Sequence, residues 1–218
     1  MRKILVAPSI LSADFAAMGE AVERLEAAGA DLIHCDVMDG AFVPKITFGE
    51  DMVAAVRRHT SLPLDVHLMC VAPQNKIEAF AAAGASYITV HFEATIDKTA
   101  EVLRSIRALG VKAGLSVSPD TPVSGVYDAL EYADMLLIMS VYPGRGGQKL
   151  LGRTLAKAEE ARAFLDSSGL SCDIEMDGGI TEQNVSDVIG AGVNVLVAGN
   201  TVFSAKDMAA TIARLKNG

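Results

Sequence analysis

The sequence contains no long uninterrupted hydrophobic segment. Half of its 218 residues are hydrophobic, but no apolar run reaches about 18 residues, the length that indicates a membrane-spanning helix. Pro8 and Asp14 interrupt the apolar start of the chain, so we interpret these first residues as a strand and not as a signal peptide. The sequence therefore predicts a globular protein with no membrane partner.

Cysteine and positive charge are also scarce. The chain has three cysteines, Cys35, Cys70 and Cys172, with no Cys-x-x-Cys pair, so we predict free buried thiols in a reducing cytoplasm. Its 19 Lys and Arg residues face 27 Asp and Glu residues, which gives a net charge of -8. This balance argues against a nucleic-acid partner, but it does not exclude a phosphorylated small molecule, which needs only a local site.

Strand and helix patterns alternate from one end of the chain to the other. The predicted strands cover residues 4–9, 32–37, 64–69, 87–92, 113–117, 135–141, 173–176 and 195–198. The predicted helices cover residues 14–28, 50–59, 73–83, 98–109, 123–132, 150–167, 182–191 and 206–216. Eight such units predict an α/β fold, a (β/α)8 TIM barrel forming a single domain over residues 1–218. A doubly wound open sheet would fit the same alternation, but the count of eight favours closure.

Polar side chains lie where several predicted strands end, which is the end that carries the active site in such a barrel. His34 and Asp36 share one face of the second strand, because successive side chains point to opposite faces. The metal-competent groups at this level are His34, Asp36, His67 and Asp177. Two imidazoles and two carboxylates suit one divalent ion, Zn²⁺, Fe²⁺ or Mn²⁺. In the alternative interpretation some of the polar residues at the strand ends have only a structural role. Asp65 would then be a buried partner, and His91 a hydrogen-bonded core histidine.

Glycine-rich loops follow the last three predicted strands, at residues 143–148, 177–179 and 199–201. Glycine lets backbone N–H groups approach an anion closely, and barrels often hold a phosphate group at the loops after strands seven and eight. These loops predict a phosphate site, with ordinary tight turns as the alternative.

Five segments, in the same order along nearly the whole chain, carry a specific resemblance. They are Ala-Pro-Ser-Ile-Leu-Ser-Ala-Asp-Phe at 7–15, His-Cys-Asp-Val-Met-Asp-Gly at 34–40 followed by Phe-Val-Pro at 42–44, Asp-Val-His-Leu-Met at 65–69, Pro-Gly-x-Gly-Gly-Gln-Lys at 143–149 and Glu-Met-Asp-Gly-Gly-Ile at 175–180. Together they resemble the ribulose-phosphate 3-epimerase family.

The resemblance implies a metal-dependent isomerase of the pentose phosphate pathway, an epimerase that interconverts D-ribulose 5-phosphate and D-xylulose 5-phosphate. It implies that His34, Asp36, His67 and Asp177 ligate the metal, and that Asp36 and Asp177 also act as the two acid/base groups. The implied substrate contacts are Ser9, His67, Gly144, Arg145, Gly146, Gly147, Gly178, Gly179, Gly199 and Asn200. The implied neighbours above the metal are Met38, Met69 and Met139. The resemblance also implies a homo-oligomer.

The chain departs from the family pattern at four positions, Lys45, Tyr142, Arg145 and Asn200. All four are expected near the mouth of the pocket, so they bear on the substrate and not on the reaction type. Arg145 is expected to add a cationic contact beside the phosphate, a solvent-facing side chain being the alternative. The alternative functions are an epimerase for another ketose phosphate such as D-allulose 6-phosphate and a phosphosugar-binding barrel without turnover.

Overall fold

The chain folds into a parallel barrel. The computed structural model describes residues 2–218, so Met1, which the predicted domain range includes, lies outside the described residues. The strands of this range are β1 (Leu5–Ala7), β2 (Ile33–Met38), β3 (Leu64–Met69), β4 (Tyr87–His91), β5 (Lys112–Val117), β6 (Met135–Met139), β7 (Asp173–Asp177) and β8 (Val195–Val197). Within residues 2–218 these eight strands form one parallel sheet, in the order β1-β8-β7-β6-β5-β4-β3-β2. The predicted (β/α)8 barrel is confirmed.

Helices cover the outside of the barrel. They are α1 (Met18–Ala27), α2 (Glu50–Arg57), α3 (Ile77–Ala82), α4 (Thr99–Ala108), α5 (Arg153–Ser168), α6 (Val185–Gly190), α7 (Gly199–Phe203) and α8 (Met208–Asn217). The short α7 was not predicted. In the part of the chain that the structure describes, no helix is long and apolar enough to cross a membrane.

One predicted helix has a different geometry. Residues 123–132 form a 3₁₀ helix, Val123–Tyr132, which begins after Pro122. Its buried side chains include Val123, Val126 and Ala129, a spacing of three that matches the three residues per turn of a 3₁₀ helix. The predicted helix is present over the same residues, and the structure shows that it has 3₁₀ geometry.

Strand alternation divides β2 between two environments. Ile33, Cys35 and Val37 pack into the main hydrophobic core, while His34 and Asp36 project into the barrel. Burying each such aliphatic side chain contributes about 1.5–3 kcal/mol, which anchors the strand and fixes the inward direction of the two polar groups. The three cysteines are buried free thiols, as predicted.

The barrel closes between β1 and β2 through few bonds. Beyond the end of β1, Ser9 forms an isolated parallel bridge with His34. The backbone N–H of His34 donates to the Pro8 carbonyl at 3.1 Å, and the N–H of Asp31 donates to the Val6 carbonyl at 2.9 Å. The β1–β2 junction has an isolated bridge, whereas continuous ladders of paired residues join the other neighbouring strands.

Candidate metal centre and active site

Four side chains converge at the mouth of the barrel. Each of them offers one ligand atom, and the four atoms all lie within 4.8 Å of one another. Asp36 of β2 lies opposite His67 of β3 in the strand register, so the two reach the same level. His34 projects from the same strand face as Asp36, and Asp177 ends β7. The structure thus brings together the predicted ligands His34, Asp36, His67 and Asp177.

The hydrogen bonds of His34 determine which of its nitrogens is free. Nδ1 lies 2.5 Å from Oδ2 of Asp65, and an ionised carboxylate only accepts, so Nδ1 carries the hydrogen. Nε2 has no hydrogen-bond partner in residues 2–218, and Oδ1 of Asp36 lies 3.4 Å away. In a neutral His34 two electron-rich atoms would face each other, so a cation is required between them, either a proton or a metal ion.

The electrostatics of His34 agree with this requirement. Burial alone would lower the pKa of His34, but the negative charges of Asp65 and Asp36 outweigh it and raise the pKa well above its usual value. A divalent ion at Nε2 would take the place of this proton. The donor set of two imidazole nitrogens and two carboxylates therefore fits a divalent transition metal.

His67 faces the same carboxylate. Its Nδ1 lies 3.2 Å from Oδ1 of Asp36, and its Nε2 lies 2.9 Å from Nε2 of His91. Burial is the main reason that the pKa of His67 falls to about 4, so this imidazole is neutral near pH 7 and has one lone pair to offer.

The two aspartates have pKa values shifted in opposite directions. Burial alone would raise the pKa of Asp36, but the charge of protonated His34 outweighs burial and holds the pKa well below its usual value. Burial, followed by the negative charge of Asp36, raises the pKa of Asp177 to about 7. Ser9 Oγ donates to Oδ2 of Asp36 at 2.5 Å. A pair of carboxyl groups whose pKa values are pushed apart is the arrangement expected of an acid and a base that act together.

A second layer of ionisable groups lies beneath the predicted ligands. His34, Asp65 and Glu175 offer atoms within 4.8 Å of one another, and all three side chains are fully buried. Burial, followed by the negative charge of Asp65, raises the pKa of Glu175 well above its usual value. The sequence analysis did not single out Glu175, although strand alternation places it on the same inward face as Asp177. Asp65 is a buried hydrogen-bond partner, as the alternative interpretation predicted, and it pairs with Nδ1 of His34.

A cavity of about 600 Å³ opens above the aspartates. Among the described residues, all of the predicted substrate contacts except His67 line this cavity. Nδ1 of His67 lies 3.2 Å from Asp36, which does line it. The predicted residues in the cavity wall are Ser9, Asp36, Met38, Met69, Met139, Gly144, Arg145, Gly146, Gly147, Asp177, Gly178, Gly179, Gly199 and Asn200. Asp36 and Asp177 therefore face the same space as the glycine loops, whereas His34 and His67 do not line it.

Two glycines of the cavity wall have no room for a side chain. Gly178 and Gly179 have φ angles of +120° and +68°. A Cβ on Gly178 would overlap the Val141 side chain, and a Cβ on Gly179 would overlap the backbone of Leu150. Such close approach leaves backbone groups as the lining of this wall, which suits an anion.

The departures from the family pattern have different surroundings. Tyr142 and Asn200 line the cavity together with Arg145, whereas Lys45 does not line it. Tyr142 donates from its hydroxyl to Asp120 at 2.9 Å, and Gln148 Nε2 donates to the Arg145 carbonyl at 2.7 Å. The Arg145 side chain is exposed at the cavity rim.

An eight-stranded barrel in which two histidines and two aspartates converge beside a glycine-walled cavity has the architecture of a barrel enzyme that acts on a small anionic substrate. The model of the "Ribulose-phosphate 3 epimerase family" matches residues 5–203. Curated ribulose-phosphate 3-epimerases are similar: that of Synechocystis is 46% identical over 99% of this chain and 94% of its own, and that of Bacillus subtilis is 46% identical over 98% of each. The chloroplastic enzyme of Arabidopsis thaliana is 48% identical over 98% of this chain and 76% of its own. The chain belongs to the ribulose-phosphate 3-epimerase family, as the resemblance implied.

Solved structures of lower identity share the fold. A 3-hexulose-6-phosphate synthase superposes with a TM-score of 0.69 at 20% identity, over 99% of both chains. The tryptophan synthase α-subunit of Pyrococcus furiosus gives a TM-score of 0.70 at 12% identity, over 99% of this chain and 98% of its own. At these identities the likeness concerns the barrel alone.

Proposed function

We propose that this chain interconverts D-ribulose 5-phosphate and D-xylulose 5-phosphate as a ribulose-phosphate 3-epimerase that uses one divalent ion, Zn²⁺, Fe²⁺ or Mn²⁺. The observation that carries the proposal is geometric: Asp36 and Asp177 line one cavity, and their ligand atoms lie within 4.8 Å of those of His34 and His67. Curated relatives at 44–48% identity bear this name and support the same reaction.

Inversion at C3 needs two proton carriers. The carbon is adjacent to a carbonyl, so its proton leaves to one carboxylate and a proton returns from the other carboxyl on the opposite face. Asp36 and Asp177 take these roles, and they exchange them for the reverse reaction. A divalent ion held by His34, Asp36, His67 and Asp177 would supply positive charge that stabilises the enediolate. Ser9 holds one oxygen of Asp36 through its 2.5 Å hydrogen bond and so orients the carboxylate.

The cavity also accounts for the phosphate. Gly144, Gly146, Gly147, Gly178 and Gly179 provide a wall without side chains, at which backbone N–H groups would bind phosphate oxygens. Binding energy from this remote group positions C3 between the aspartates. The proposed partner is therefore a phosphorylated ketose. Homo-oligomerisation stays a prediction.

The test is exchange of the C3 proton in D₂O, followed by NMR. We expect chelator-sensitive exchange with D-ribulose 5-phosphate, and exchange with D-allulose 6-phosphate that is about 10-fold slower or more, because the cavity must accept one additional carbon. Exchange confined to the hexulose would keep the chemistry and change the substrate. No exchange with either sugar, in protein shown to contain metal, would leave a binding barrel without turnover.

The exposed Arg145 favours a second candidate, an epimerase tuned to a different ketose phosphate. If its guanidinium contributes to sugar preference, Arg145→Phe shifts the ratio of kcat/KM between the hexulose and the pentulose by about 5-fold, the upper range for an exposed ionic contact. Lys45→Asn is the matched control, since Lys45 also departs from the family but lies outside the cavity wall. An unchanged ratio in Arg145→Phe would reject a role in specificity.

A further inference from the structure

His91 and Glu93, which the proposed reaction does not use, are connected to a predicted metal ligand. Oε2 of Glu93 lies 3.0 Å from Nδ1 of His91, and Nε2 of His91 lies 2.9 Å from Nε2 of His67. The two imidazoles are fully buried, and their ring centroids are 4.9 Å apart with an angle of 30° between the ring planes. The Phe42 ring packs against His91 at a centroid distance of 4.6 Å.

The direction of each hydrogen bond follows from the donors and acceptors present. A carboxylate only accepts, so Nδ1 of His91 donates to Glu93. With its hydrogen on Nδ1, His91 offers a lone pair at Nε2, to which Nε2 of His67 can donate. A neutral His67 that donates from Nε2 has its remaining lone pair on Nδ1, 3.2 Å from Oδ1 of Asp36, so this tautomer needs a cation between the two atoms, as Nε2 of His34 does.

We propose that Glu93, acting through His91, selects the tautomer of His67 that presents Nδ1 to the metal ion. Glu93 and His91 are positioning residues in this relay, which we define as Glu93, His91 and His67. The inference rests on the proposed metal-dependent function and extends it to two further residues. An orienting carboxylate is a general feature of metal-binding histidines, and here it acts through a second imidazole.

The orientation of the Glu93 carboxylate is itself fixed. Its other oxygen, Oε1, accepts a hydrogen bond from the backbone N–H of Ser118 at 2.8 Å and a second from the Thr121 hydroxyl. The Ser118 N–H cannot act as an acceptor. Whatever occupies the Oε1 position must therefore accept, and this requirement determines how an amide would orient at residue 93.

Glu93→Gln is expected to reverse the relay. The amide oxygen takes the Oε1 position opposite Ser118, so the NH₂ group faces Nδ1 of His91 and donates to it. His91 then donates from Nε2 to His67, and the hydrogen of His67 moves to Nδ1, where it opposes the metal. We expect the Kd for Zn²⁺, measured by competition with a chromophoric chelator, to rise about 10- to 100-fold.

Two further variants distinguish the effect of hydrogen-bond direction from the effect of structural disruption. Glu93→Ala removes the acceptor without supplying a donor, so both tautomers are accessible and the Kd should rise less than in Glu93→Gln, although Ala is the larger structural change. Glu23→Gln is the matched control, because Glu23 pairs with Nδ1 of His59 at 2.8 Å on the surface, away from the site. It should leave the Kd within about 2-fold of the wild type.

The tautomers can be read directly by ¹⁵N NMR, since the chain has four histidines. We expect protonated Nδ1 in His91 and protonated Nε2 in His67 in the Zn²⁺-bound wild type, and the reverse at both residues in metal-free Glu93→Gln, where Nδ1 of His67 donates to Asp36. The opposite tautomers in the wild type, or a Glu93→Gln affinity equal to that of the wild type, would overturn the relay. If the wild type binds no Zn²⁺, the proposed metal function fails, while the tautomers of metal-free Glu93→Gln still decide whether the relay exists.

Discussion

Asp177→Asn should lower kcat in both directions by about 10³-fold, within the range that positioned acid/base groups contribute. Asparagine has nearly the same shape, but it cannot take or return a proton. Asp177 is placed for proton transfer because it lines the cavity together with Asp36 and, in the protein without an ion, burial and the charge of Asp36 raise its pKa to about 7. The measurement is a coupled assay of each epimer at saturating concentration.

Isotope exchange makes this prediction specific to two carriers. In Asp177→Asn the remaining carboxylate, Asp36, still faces one side of the sugar, so one epimer should exchange its C3 hydrogen in D₂O without conversion to the other. Asp173→Asn, at the opposite end of β7, should keep activity within about 2-fold. Retained conversion of both epimers in Asp177→Asn would show that Asp177 does not carry the proton.

Removing the metal should have the second large effect. A chelated and dialysed protein is expected to lose about 10²- to 10⁴-fold in turnover, because charge stabilisation by an ion contributes several kcal/mol. Without an ion, Nε2 of His34 and Nδ1 of His67 both point at Asp36 with only a proton to bridge them. Adding Zn²⁺, Fe²⁺ or Mn²⁺ separately should restore turnover and would identify the preferred ion.

The same experiment has a readout that does not depend on turnover. Metal at about 100 times its Kd stabilises the folded state by about 2.7 kcal/mol, which raises Tm by roughly 5–10 °C in a chain of this size. His67→Ala removes one predicted ligand and should show a much smaller increase. Full exchange activity in protein verified to be free of metal would contradict the metal dependence.

The sequence was sufficient to predict the barrel and the four converging side chains, because both depend on local patterns. Alternation in β2 determines that His34 and Asp36 share a face, and the rule that sites lie at strand ends places His67 and Asp177 beside them. The register between neighbouring strands, in contrast, does not follow from local patterns. His34 lies opposite Asp65 in the β2–β3 ladder, and no feature of a single sequence indicates which residue of one strand faces which residue of the next.

The same limit explains what was missed at His91. Interpreted alone, it was a hydrogen-bonded core histidine, and that description holds. Its connection to His67 depends on the separation of two imidazoles on neighbouring strands, and its connection to Glu93 depends on the turn after β4. Likewise, residues 123–132 have apolar spacings that suit both an α-helix and a 3₁₀ helix, so the pattern determined where a helix lies and not its pitch.

Few hydrogen bonds join β1 to β2, and this connects the candidate metal centre with the closure of the barrel. Ser9, which follows β1, forms a backbone bridge with His34 and donates a side-chain hydrogen bond to Asp36. The chain after β1 is therefore bonded to two of the proposed ligands. Local opening of a protein begins where few bonds must break. An ion bound to His34 and Asp36 would therefore also stabilise the β1–β2 junction against local opening. Metal binding and closure of the barrel would then depend on the same two residues.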